Sequence, residues 1–482
     1  MSTTTTQSTT ECCHGSVTLF SLFSASFRNR PVTGPSLRAA LDERPMSRFQ
    51  WGVIAVCVLL NMLDGFDVLV MAFTGKAVSA EWELSSSELG LLLSAGLVGM
   101  ALGALCVAPW ADRIGRRPVI LGCLAVAAIG MLLSSVSQSP VQLGVLRVLT
   151  GVGIGGVLAG SNVIAGEYAS RRWRGLAVSL NSTGYAVGAT VGGLLAVGMI
   201  GQFGWRSVFL TGGLATAVAV PLAYFCLPES VAFLASRRPK GALERMNALA
   251  RRMGQSPLES LPEPTAGPSG VGAGFRELLS PGLRRSTLLL WSAFFLVMAG
   301  FYFVTSWTPT LLVEAGLSGT QGLTGGTLLN LGGIFGAAAL GALAARFALR
   351  SVLIAYLITT AVMLSAFIAS TSSLGAAFAL GVVIGLFANG CVAGLYALTP
   401  ATYGPGIRAT GLGSALAVGR IGAILAPTVV GGMLDAGWTP QNLYLAVSLI
   451  FIASAALLLL LRPATAGDTE PAAAAPAVGT TH

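Results

Sequence analysis

From residue 51 to residue 461 the chain is a succession of long apolar runs separated by short polar breaks. Each run is about 20 residues, the length a helix needs to cross a hydrocarbon core of about 30 Å. Twelve such spans are read, at 51–73, 88–109, 118–137, 141–164, 176–199, 206–227, 286–308, 323–345, 351–370, 374–399, 409–433 and 441–461. An even number of crossings returns both ends of the chain to one side of the membrane.

Composition agrees with this pattern, since 54% of the 482 residues are hydrophobic and only 10% are charged. No soluble domain of this length hides so much apolar surface, and the predicted fold class is an all-α membrane protein. Charge orients it. All 28 basic residues but four fall in the tails and loops of one side; Lys76 and Arg206 lie on the other, and Arg147 and Arg420 lie inside spans. Lys and Arg concentrate on the cytoplasmic side, so both termini are expected there, and the net charge of +9 needs no nucleic acid to explain it. The expected organisation is a cytoplasmic tail at 1–50, a six-helix bundle at 51–227, a cytoplasmic linker at 228–285, a second six-helix bundle at 286–461 and a C-terminal tail at 462–482. Both tails are polar and low in complexity and read as disordered. Within the linker "PKGALERMNALARRMG" reads as a basic amphipathic helix lying along the inner membrane face, and "SPLESLPEPTAGPSGVGAG" as a flexible connection. The seven cysteines show no metal-type spacing, and neither metal nor cofactor is expected. "VTLFSLFSASF" is too short and poorly flanked for a signal peptide, which leaves the first span as the targeting signal.

The two bundles repeat one another. At an offset of 233 residues "ADRIGRRPVIL" lies on "AARFALRSVLI", with Arg113 on Arg346, Arg117 on Arg350 and Val119 on Val352. An offset of 234 lays Gly188 and Ala189 of span 5 on Gly422 and Ala423 of span 11, and one of 235 lays Gly65 and Phe66 on Gly300 and Phe301. Two halves in the same orientation imply a transporter of six plus six helices, with its site at the midplane between them.

"ADRIGRRPVI" between spans 2 and 3 and "RVLTGVGIGG" in span 4 resemble two signatures of the major facilitator superfamily. The first departs from the family at Ala108, where glycine is usual, and its second-half copy has Ala345 in place of the aspartate. "DGFD" in span 1, Glu167 after span 4 and "RATGLGSALAVGRIGAI" across span 11 are similar to the aromatic acid:proton symporter family. That resemblance implies a bacterial inner-membrane importer of benzoate-like carboxylates, working by alternating access and expected to act as a monomer. It also assigns the cytoplasmic loops to an inner gate, carried here by Asp112, Arg113, Gly115, Arg116, Arg117, Glu167, Arg171 and Arg408.

The residues themselves point the same way. An Asp or Arg at the centre of a membrane helix costs about 2.5–3.5 kcal/mol on insertion scales. Asp64 and Asp67 lie about 60° apart on one helix face, and two neighbouring carboxylates in a low dielectric cannot both ionise cheaply, which suits a proton carrier. No other Asp or Glu falls well inside a predicted span, and both histidines, His14 and His482, are in the tails. Asp67 is the expected coupling acid because its repeat mate is Tyr302, whereas Asp64 is mated with Ala299. Arg420, near the midpoint of span 11, presents a permanently charged fork suited to a carboxylate. The plain alternatives are an Asp–Arg pair that only orients the halves and an arginine satisfied by backbone carbonyls. Arg147 reads as support for structure or for a proton path. "WSAFFLVMAGFYFVTSW" in span 7 offers Tyr302 and Trp307 for an aromatic ring, with Phe66 opposite. Asn181, Tyr185, Asn330, Asn389 and Tyr396 either hold a ring hydroxyl or bond helix to helix.

Three functions are in view: a proton-coupled importer of an aromatic monocarboxylate, a proton-coupled exporter of drugs or organic cations, and a membrane receptor. Arg420 argues against a cation, and span 5 has Gly188–Ala189 where exporters of the superfamily usually carry glycine–proline. The tails offer no signalling domain for a receptor. No nucleophile, metal cluster or phosphate loop supports an enzyme, and "GVGIGG" follows no strand, so it is no nucleotide loop.

Overall fold

The computed structural model describes residues 45–255, 257–261, 271–370, 373–403 and 407–461. Among the described residues twelve helices are long and apolar enough to cross a membrane. They are α1 (Arg48–Trp82), α2 (Ser86–Ile114), α3 (Arg116–Ser134), α4 (Pro140–Tyr168), α5 (Arg174–Phe203), α6 (Trp205–Cys226), α7 (Arg284–Glu314), α8 (Gly319–Ala344), α9 (Leu349–Ala369), α10 (Leu374–Thr402), α11 (Arg408–Asp435) and α12 (Pro440–Leu460). No strand occurs among the described residues. The tails at 1–44 and 462–482, and most of the linker segment expected to be flexible, lie outside the described residues.

Helix starts are written in polar residues. Ser47, Ser85 and Ser318 form capping boxes with Gln50, Glu88 and Gln321, and Ser139 and Thr439 cap α4 and α12 through their hydroxyls. α1 runs on to Trp82, well past the end expected at residue 73, so Lys76 stands on a helix and not in a loop. A π-helical stretch at Gly103–Val107 interrupts α2.

Glycine sets how closely the crossing helices approach. On α1 Gly65 lies against the backbone carbonyl of Tyr185, and on α5 Gly188 lies against that of Met62. This double contact holds Asp64 and Tyr185, from different helices, in one place. On α4 the glycines of "GVGIGG" meet α2 and α3 in the same manner. A methyl added at Gly188 runs into the α1 backbone, and overpacking of this kind costs about 1–3 kcal/mol. Gly188→Ala is therefore expected to lower the thermal midpoint of the purified protein in detergent and to weaken ligand binding. An unchanged midpoint would mean that α1 and α5 are free to part.

Two ends of the bundle can be told apart: the terminal face, where α1 begins and α12 ends, and the far face. The halves are joined at the far face. Asp435, at the end of α11, accepts the amide protons of Ser86 and Ser87 at 2.9 and 2.8 Å, capping α2 from the other half. Deeper in, the Ser94 hydroxyl donates to the Ile424 carbonyl at 2.7 Å and pairs with Thr428 at 2.8 Å. Gly193 of α5 packs on Thr327 of α8. At the terminal face the short helices Val231–Arg237 and Ala242–Arg252 share an apolar cluster with α1, α3, α4 and α6 through Phe233, Leu234, Met246, Leu249 and Ala250. The amphipathic helix read from the sequence thus exists and docks on the N-terminal half. Its follow-on segment is also tied down at first, since Asn247 exchanges hydrogen bonds of 3.1 and 2.7 Å with the backbone of Leu258. The "VGAG" that ends the expected flexible stretch begins a further helix, Val271–Leu278.

Candidate functional site

Four polar side chains from four helices gather where the halves meet: Asp64 of α1, Tyr185 of α5, Tyr302 of α7 and Arg420 of α11. Asp64 lies within electrostatic reach of Arg420, as do Tyr185 and Tyr302. Asp64 and Tyr302 are only 2% and 7% exposed. The Tyr302 hydroxyl faces Tyr185 and Arg420. Even so, Tyr185 Oη, Arg420 Nη1 and Asp64 Oδ1 are all buried without a hydrogen bond of proper geometry. Buried polar atoms are nearly always bonded, and leaving one unpaired costs about 1–3 kcal/mol. Three such atoms in one place mark a cluster arranged for something other than its own stability.

The expected acid is not the one found there. Asp67 turns away, and its Oδ1 accepts from Arg147 Nη1 at 2.8 Å with both side chains buried. Arg147 also donates to the Thr150 hydroxyl at 3.0 Å, and its guanidinium lies 5.0 Å from the centre of the Phe209 ring. The 60° between residues 64 and 67 suffices to send one acid toward the C-terminal half and the other into the N-terminal bundle. Asp67 and Tyr302, paired by the sequence repeat, face different neighbours, Arg147 for the one and Tyr185 and Arg420 for the other.

Other expected residues divide. Tyr396 lies within electrostatic reach of Arg420 and Tyr302, and its ring packs edge-on against Phe294 at 5.9 Å. Its side chain is 40% exposed. Asn181, fully buried, donates to Asn162 Oδ1 at 2.6 Å and leaves its own Oδ1 unpaired. It sits one turn from Tyr185 on α5. Asn330 donates at 2.8 Å to the Gly326 carbonyl of its own helix, and Asn389 packs on Gly333. Trp307 is fully buried, its indole N–H donating to the Pro427 carbonyl at 3.2 Å, and Phe66 sets its ring against Gly192 and Gly212. Each of these contacts lies within one half.

At the terminal face, the ion pairs that Arg116 makes among the described residues, with Asp112 and Glu167, join parts of the N-terminal half to each other. Arg116 reaches Glu167 at 2.5 Å, and Glu167 accepts from the Ser230 hydroxyl at 2.7 Å. Asp112 is left largely exposed, 3.6 Å from Arg116. The reason is Glu229, which the sequence reading passed over. Its Oε1 accepts the amide protons of Arg116, Arg117 and Ser230 at 2.8, 3.2 and 2.9 Å, so it caps α3 in place of the loop aspartate. Gly115, at φ 111°, makes the turn and leaves room for that carboxylate. The only sequence signal for Glu229 was an acid directly after "LP" at the end of α6. Arg117 donates to the Tyr224 carbonyl at 2.5 Å, while Arg113, Arg171 and Arg408 are exposed.

Two six-helix halves around a shared, buried, polar midplane cluster define a membrane transporter. The sequence profile of the Major Facilitator Superfamily matches residues 54–348 and 326–481, and the chain belongs to that family. It is 34% identical over 435 residues to the gallate transporter of Pseudomonas putida, covering 89% of this chain and 96% of that one. It is 31% identical over 415 residues to the 4-hydroxybenzoate transporter PcaK of Pseudomonas putida, covering 85% and 92%. Among solved structures the xylose transporter XylE from E. coli, in a partially occluded inward open conformation, superposes with a TM-score of 0.69 at 16% identity, over 88% of this chain and all of that one. The resemblance read from the sequence motifs is borne out: the chain is a multi-pass membrane transporter with aromatic acid transporters among its relatives, and not an enzyme.

Proposed function

We propose that the protein imports a small aromatic monocarboxylate together with a proton, by alternating access, across a bacterial inner membrane with the terminal face in the cytoplasm. The observation that carries this reading is the convergence of Arg420 Nη1, Tyr185 Oη and Asp64 Oδ1, three buried atoms without a hydrogen bond of proper geometry. A substrate carboxylate supplies acceptors to the first two. The acids that the relatives are named for carry this group and a ring hydroxyl besides, which Tyr302 and Tyr396 are placed to meet.

Coupling follows from counting charges. In the empty site Arg420 is balanced by Asp64. A bound carboxylate claims Arg420, and one cation cannot neutralise two buried anions, so Asp64 must take up a proton for the loaded site to be neutral. Empty and fully loaded carriers then have the same net charge in the site, and both can reorient. Substrate without its proton leaves an excess anion in a low dielectric, which blocks slippage. Asp67 is excluded from this exchange because Arg147, permanently charged, holds it as an ion pair. Export of an organic cation is disfavoured by the same geometry, since Arg420 stands beside the acid such a cation needs. Lys and Arg concentrate on the terminal face, which supports its cytoplasmic placement.

The test is uptake by proteoliposomes with an imposed proton gradient, offered labelled gallate, 4-hydroxybenzoate, benzoate, hexanoate and tetraphenylphosphonium. The aromatic acids are expected to accumulate and to be lost on adding a protonophore. Movement of the cation, or accumulation indifferent to the gradient, would overturn the reading.

A further inference from the structure

A cavity of about 560 Å³ lies at the terminal face, lined by none of the four cluster residues. Its walls are the last residues of α6, the start of α3 and the helix Ala242–Arg252. Three arginines face it, Arg117, Arg245 and Arg252, against one acid, Glu229. Glu229 is already engaged, with one oxygen holding three backbone amides of the α3 turn. The arginines are less satisfied. Arg117 is held at one end by the Tyr224 carbonyl and the Tyr224 ring, 5.0 Å away, while its Nε is buried and unpaired. Arg252 lies over the Phe49 ring at 5.6 Å, and Arg245, also lining the cavity, is exposed.

The setting identifies the occupant. Tyr224 and Phe225, at the end of a membrane-crossing helix, are 54% and 76% exposed, as rings at a lipid–water boundary are. The helix Ala242–Arg252 buries Ala242, Met246, Leu249 and Ala250 against the protein and leaves Arg245, Arg251 and Arg252 outward. A basic cavity at that depth, beside exposed apolar rings, suits a group that is anionic at one end and apolar at the other. We propose that this cavity binds the phosphate headgroup of an anionic phospholipid from the leaflet at the terminal face, with the acyl chains running along Tyr224 and Phe225. The lipid ties the linker helix to α3 and α6, next to the loop that carries Asp112 and Arg116.

Native mass spectrometry of the full-length protein in non-ionic detergent, titrated with phosphatidylglycerol or phosphatidylcholine of equal chain length, tests this. Phosphatidylglycerol is expected to be retained in preference. The double variant Arg245→Gln/Arg252→Gln should weaken its binding roughly thirty-fold, the worth of two arginines at a charged membrane surface, and leave phosphatidylcholine unaffected. Arg284→Gln/Arg285→Gln, which removes two exposed charges elsewhere on the chain, should retain the lipid. Excess inorganic phosphate should fail to displace it. Equal binding by the two double variants would overturn the site, and displacement by free phosphate would overturn the lipid as its occupant.

Discussion

Asp64→Asn is expected to abolish accumulation driven by a proton gradient and to spare the exchange of labelled for unlabelled substrate. The amide has the shape of a protonated carboxyl and cannot release a proton. Loaded carriers still form and still reorient, so exchange across the membrane continues; the return of an empty, deprotonated carrier is what fails. Substrate affinity in this variant should no longer fall as pH rises, since no anion remains to compete for Arg420. Asp67→Asn is the comparison that isolates the effect. It strands Arg147 in the N-terminal bundle without its counter-charge, and breaking a buried pair in this way costs about 3–5 kcal/mol. Its defect should therefore appear as a lowered thermal midpoint and loss of exchange and accumulation together. If Asp64→Asn accumulates substrate as the unaltered protein does, proton coupling through this residue is wrong.

Arg420→Lys is expected to weaken substrate binding roughly ten- to hundred-fold, the equivalent of one charge-assisted hydrogen bond of about 1.5–3 kcal/mol. Lysine keeps the charge but not the planar fork, and its ammonium cannot offer two parallel donors to one carboxylate. Expression and the thermal midpoint should change little, because lysine keeps the charge that balances Asp64 and Arg420 Nη1 itself makes no hydrogen bond. Equilibrium binding of labelled 4-hydroxybenzoate, measured beside the melt, separates the two effects. Unchanged affinity would reassign Arg420 to helix packing and return the organic-cation reading to contention.

The fold was legible because hydrophobic run length is set by the bilayer and does not depend on tertiary detail. The charged members of the cluster were legible for a related reason: a charge in a membrane helix is costly, and this singled out Asp64 and Arg420, together with the Asp67–Arg147 pair that lies outside the cluster. What one sequence does not display is which way each side chain turns. Asp64 and Asp67 differ by 60° on α1, and that angle decides whether the neighbour is Arg420 or Arg147. Trp307 and Phe66 look like ring-binding residues until packing claims them, one through the Pro427 carbonyl and one through two glycines. Glu229 was hidden because its partners are backbone amides, which leave no mark in the residue pattern. Asp435 was hidden for the same reason.

Asp435 has a role that reaches beyond fastening two helices. When the far face opens, as alternating access requires, the amides of Ser86 and Ser87 lose their acceptor, and a lost helix cap costs about 0.5–2 kcal/mol. By itself that weights the population toward the far-closed arrangement by about two- to thirty-fold. A carboxylate outside the four-residue cluster would thus set a thermodynamic preference for where an unoccupied carrier waits and, if the carrier imports as proposed, the concentration at which uptake becomes half-maximal.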